Sequence, residues 1–92
     1  MANYIVSYDL NGSVPSHQTM DEHMKKAGWT RGRILETVWY VGTAQTEAQV
    51  FAHVNTILSN NDQLIVISAK SATFRNLLIE DESLKAAWAS NA

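Results

Sequence analysis

Ninety-two residues, 46% hydrophobic and 17% charged, exclude a disordered segment and lead us to expect one globular domain, not two. Seven Lys and Arg against nine Asp and Glu leave a net charge of −2, which excludes a dedicated, strongly basic nucleic-acid binder. No cysteine is present, so disulfides, thiolate metal sites and cysteine nucleophiles are excluded too.

A domain of this size buries roughly 60–65% of its unfolded surface, and small domains with exposed strands often gain stability by pairing with a copy of themselves. The N-terminal residues lack a basic region and a long apolar stretch, and no apolar run approaches the ~20 residues of a membrane span. The expectation is a cytoplasmic protein with no membrane association.

Residues 3–10 read as a strand in which Tyr4, Val6, Tyr8 and Leu10 face a core and Ile5, Ser7 and Asp9 face away. Asn11, Gly12 and Ser13 break it. Residues 16–27 read as a helix carrying Met20, Met24 and Ala27 on one stripe, with Thr19 and Glu22 as a capping box and Gly28 as its end.

Residues 29–36 and 37–43 read as two strands of a hairpin reversing near Glu36, the second rich in β-branched and aromatic residues. Residues 46–59 read as a helix, with Thr46 and Gln49 as a capping box and Val50, Val54, Ile57 and Leu58 as its apolar stripe. Residues 62–70 hold the apolar run Leu64–Ile67, a pattern that suits a strand covered on both faces, central in a sheet or at an interface. Residues 74–89 read as a further helical segment, one bent helix or two short ones, interrupted by Glu80, Asp81 and Glu82. The tail 90–92 is expected to fray.

The fold class is therefore α+β, a ferredoxin-like β-α-β-β-α-β order with an antiparallel four-stranded sheet, two helices on one face and a C-terminal helix, all in one domain. Such a sheet leaves its other face for a partner or the last helix to cover. Ile5, Trp39, Val41, Ile65 and Ile67 are candidates for that face. Leu64, Val66, Leu84 and Trp88 are the candidate interface residues of a homodimer.

Three segments carry a family resemblance: Tyr4–Leu10, Arg33–Tyr40 and Asn61–Ile67. Together they resemble the small CRISPR-associated adaptation protein, a ferredoxin-like dimer described as a metal-dependent nuclease. They look closer still to its stand-alone SinR-like relatives and to the virulence-associated D toxins. The resemblance implies that Asp9 ends the first strand near a dimer axis, where two copies hold one divalent cation such as Mg²⁺, with Arg33 and Thr37 near the same cleft. Two departures from the family pattern are the acidic composition and a first loop with no second carboxylate beside Asp9.

Each candidate residue has two readings. Asp9 is a catalytic Mg²⁺ ligand or a side chain that organises the Asn11-Gly12 turn. Arg31 and Arg33, on one side of a strand, contact RNA or DNA phosphates or guard a sheet edge with charge. His17 and Asp21 have the i, i+4 spacing of a chelating pair, one that arises often by chance. Trp29, Trp39 and Trp88 stack on bases or anchor a core or interface.

Three functions fit: a homodimeric binding module without strong catalysis, a Mg²⁺-dependent endonuclease acting on RNA or DNA, and a toxin or phage regulator acting through a protein partner.

Overall fold

A computed structural model describes residues 2–91. It contains β1 (Ala2–Asp9), α1 (His17–Lys26), β2 (Thr30–Leu35), β3 (Val38–Thr43), α2 (Glu47–Asn55), β4 (Gln63–Ser68) and α3 (Asp81–Ser90). The four strands form one antiparallel sheet in the order β2-β3-β1-β4, so β1 and β3 are the central pair. This is the ferredoxin-like α+β arrangement, two interlocked β-α-β units.

Strand alternation sorts the side chains into two layers. Tyr4, Val6, Tyr8, Trp39 and Val41 point to one face, where they pack with Met20 and Met24 of α1 and Val50 and Val54 of α2. Tyr40 and Ile34 point to the other, where Leu84 of α3 closes over them with Phe74, Ile79 and Trp88 alongside. The last helix therefore covers much of the second face. Of the residues considered for that face, Trp39 and Val41 lie instead in the layer under α1 and α2, because β3 follows β1 in register Val6↔Trp39 and Tyr4↔Val41.

The helix ends show local chemistry at work. Thr46 caps α2 in the capping box read from its sequence, with Gln49 returning the bond. At α1 the cap is Ser16, which accepts from Thr19 N, rather than Thr19 itself. The segment read as helical over 74–89 is helical only from Asp81. Asn76 takes a left-handed φ of 55° upstream, and the acidic trio does not break a helix but starts one, where the amide ends favour negative charge.

A small polar network fastens this last segment. Tyr40 Oη donates to Asn3 Oδ1 (2.6 Å), and Asn3 Nδ2 donates to Trp88 O (3.1 Å). Trp88 stacks on Tyr40 at 5.5 Å between ring centroids and donates its indole N–H to Lys70 O (3.0 Å). Contrary to a frayed tail, Asn91 is 2% exposed and donates to Ala87 O; Ala92 lies outside the described residues. Gly42 sits under this network, and a Cβ there would lie 2.5 Å from Tyr40 Oη and 2.6 Å from Asn91 Nδ2.

Gly42→Ala is therefore expected to cost about 1–3 kcal/mol, the usual penalty for overpacking, by displacing Tyr40 or Asn91. Urea unfolding of both proteins checks it. An unchanged midpoint and slope would show that Asn91 is not seated against the sheet.

Candidate functional site

The sheet's two edges are built differently. The β2 edge carries Arg31 and Arg33, a register shift between Arg33 and Leu35, and a backbone bond from Leu78 N to Ile34 O (2.9 Å) that lays the 74–80 segment along it. Charge, irregularity and cover each protect an edge strand from further pairing.

The β4 edge has none of these devices within the strand. Gln63–Ser68 carries no charge and no proline, and among the described residues β1 is its only neighbour in the sheet. The apolar run thus lies at an edge rather than at the centre of the sheet. Leu64 and Val66 turn toward the main core and are half-buried, while Ile65 and Ile67 stand 54% and 45% exposed on the opposite face.

The direction of the free backbone groups follows from two hydrogen bonds. Ala69 N donates to Asn3 O (2.9 Å), and Tyr8 N donates to Thr37 O (3.1 Å). Bonded and outward positions alternate along an antiparallel strand. Odd-numbered residues of β4 therefore bond β1, and Leu64, Val66 and Ser68 aim their N–H and C=O groups at the open edge.

Asp62 fixes where this strand begins. Its carboxylate accepts from Asn11 N (2.8 Å), Ser59 N (2.8 Å) and Ser59 Oγ (2.9 Å), while Asn11 Nδ2 donates to Asn61 O (2.7 Å). The Asn11 and Ser59 amides hold the Asp62 carboxyl below its ordinary range. The turn-organising work considered for Asp9 thus falls to Asp62, a residue whose role depends on a contact across 51 positions.

The candidate catalytic groups are not brought together. Asp9 is exposed, opposite Gln63 in the ladder, on the sheet face that bears Ser7 and Ile65. Arg31 and Arg33 pair with Val41 and Trp39 and lie on the other face, two strands away. Burial raises the Tyr8 hydroxyl above its ordinary range, opposed by the Trp39 indole, which donates to it (3.1 Å). His17 is exposed, and among the described residues no three His, Asp or Glu side chains gather as a metal site.

The interface candidates divide likewise. Leu84 is 3% exposed against Tyr40 and Ile34, and Trp88 is half-buried on Tyr40. A cleft of about 320 Å³ opens beside Trp88, lined by Phe74, Lys70 and Lys85, with Lys85 3.9 Å from Glu82.

Sequence reasoning missed one further pair. His23 and His53 stack between α1 and α2 with ring centroids 4.0 Å apart, and each Nε2 faces the other residue's backbone carbonyl. A carbonyl only accepts, so each Nε2 carries the proton and the pair staples the two helices.

No family model, curated protein or solved structure matches the chain.

Because the folded-state pKa of Asp62 is depressed, its contribution to stability is present above the unfolded value of about 4 and is lost as pH falls through the folded value. Asp62→Ala is expected to melt lower than the wild type at pH 7 and to lose less on acidification, so the two curves converge at low pH. Melting temperatures between pH 7 and pH 2 check this. Parallel curves would show that the carboxylate is not linked to folding.

Proposed function

We propose that the chain is a small homodimeric binding module, acting through self-association rather than strong catalysis. The observation that carries this reading is the uncharged β4 edge with Ile65 and Ile67 standing exposed beside it. Two neighbouring isoleucines on a sheet face are costly to leave wet, since burying such a side chain fully is worth about 1.5–3 kcal/mol. The resemblance to the adaptation-protein family and its stand-alone relatives supports a dimer as well.

The alternative of a Mg²⁺-dependent endonuclease draws on one observation, the exposed Asp9 carboxylate at a strand end. A divalent cation held there by two copies would activate water for phosphodiester hydrolysis. The separation of Asp9 from Arg31 and Arg33 on opposite sheet faces favours the module reading.

Size exclusion with light scattering at tens of micromolar protein is expected to give about twice the monomer mass. The double substitution Ile65→Lys, Ile67→Lys is expected to give the monomer with an unchanged circular dichroism spectrum. A monomeric wild type overturns the reading. For the alternative, labelled RNA and DNA are incubated with Mg²⁺ and with a chelator. Chelator-sensitive cleavage that disappears in Asp9→Ala at unchanged melting temperature would establish the nuclease instead.

A further inference from the structure

The outward-facing groups of β4 specify more than a sticky surface. We infer that two copies of this chain join β4 to β4 in antiparallel register about a two-fold axis through Val66, merging two four-stranded sheets into one of eight strands. This rests on the self-association proposed above and adds the surface, the register and the occupant.

The register follows from three constraints. First, the hydrogen bonds must come from residues whose backbone faces outward, and those are Leu64, Val66 and Ser68. Centring on Val66 uses all three: Val66 faces the second copy's Val66, and Leu64 faces the second copy's Ser68, each facing pair exchanging two backbone bonds. Second, the exposed isoleucines must be covered. In this register Ile65 lies opposite the second copy's Ile67, and Ile67 opposite its Ile65, so four exposed side chains form one cross-strand cluster on the α3 side.

Third, the charges just beyond the strand must not repel. Asp62 comes opposite the second copy's Lys70, and Lys70 opposite its Asp62, so the ends of the new ladder are complementary in sign. Centring on Ile65 instead sets Ile67 against Gln63 and Asp62 against Ser68, losing both the cluster and the charge match. It is this self-complementarity that commits the edge to a second copy rather than to an unrelated strand.

The arrangement also bears on Asp9. Each β1 lies one strand from the new junction, so the two Asp9 residues are separated by three strand spacings, about 14 Å or more. Two carboxylates that far apart do not share one cation. An edge-joined dimer and a cation held jointly by two Asp9 residues are mutually exclusive.

Because the chain has no cysteine, single cysteines report the register directly. Ile65→Cys and Ile67→Cys are made separately, and each is oxidised mildly at low concentration, alone and after mixing. Ile65 and Ile67 form a directly opposed pair outside the new hydrogen bonds, the position where Cβ atoms approach most closely. The mixture is expected to give a disulfide-linked dimer on a non-reducing gel, and each variant alone little. Cross-linking of Ile65→Cys alone, as fast as the mixture, overturns the register. No cross-link from a protein that light scattering shows to be dimeric overturns the edge, and leaves the self-association reading standing. A monomeric wild type overturns that reading itself. Ser68→Pro provides an independent readout, since it removes an N–H that faces the edge and none that faces β1. It is expected to lose the dimer while keeping the monomer's melting temperature; a dimer of unchanged mass overturns the proposal.

Discussion

Tyr8 bonds Thr37 on one side of β1, and Ala69 bonds Asn3 on the other. Even-numbered residues of β1 thus spend their backbone groups on β3 and odd-numbered ones on β4. The same alternation sends Tyr4, Val6 and Tyr8 under the two crossover helices, and Asn3, Ile5 and Ser7 to the side of α3. One strand therefore sets the phase of the whole sheet. Slipping it by one residue would put Asn3 and Ser7 into the main core and strip Tyr40 of its partner. The polar latch on one face, the apolar core on the other and the outward groups of β4 all inherit this phase.

Much of this was legible in the chain itself. Tyr4, Val6 and Tyr8 alternate cleanly, and Thr46 with Gln49 is a local signal whose physics needs nothing from the rest of the molecule. What resisted reading was whatever depends on neighbours. The run Leu64–Ile67 announces a strand, but a continuous apolar stretch looks the same whether both faces are covered or one face lies at an open edge. Glu80, Asp81 and Glu82 look like an interruption until the chain before them is seen to be irregular rather than helical, when they become a favourable first turn. Asp62 and Asn11 have no reason to be paired in sequence, and the stacked histidines come from two different helices. For the candidate site, residue type was readable and placement was not: Asp9, Arg31 and Arg33 are separated by sheet phase and strand order, which no spacing along the chain encodes.

The asymmetry of the two edges has a thermodynamic logic. At β2 the sheet spends a pair of guanidinium groups, a register shift and a strap from the C-terminal segment to end itself. At β4 it leaves unbonded backbone beside exposed isoleucines. An unprotected edge is an aggregation hazard when any strand can occupy it, and a specific joint when only one register satisfies the backbone, the side chains and the flanking charges together.

The latch over Tyr40 joins Asn3 to Trp88, 85 positions apart. Closing so long a loop costs entropy before any contact repays it, so this step is slow beside the forming of the helices and of the β2-β3 hairpin. The sheet and its two crossover helices can be in place while Ile5, Ile34 and Tyr40 are still wet. Until Leu84 and Trp88 dock, that face is the apolar surface on which two copies can join wrongly.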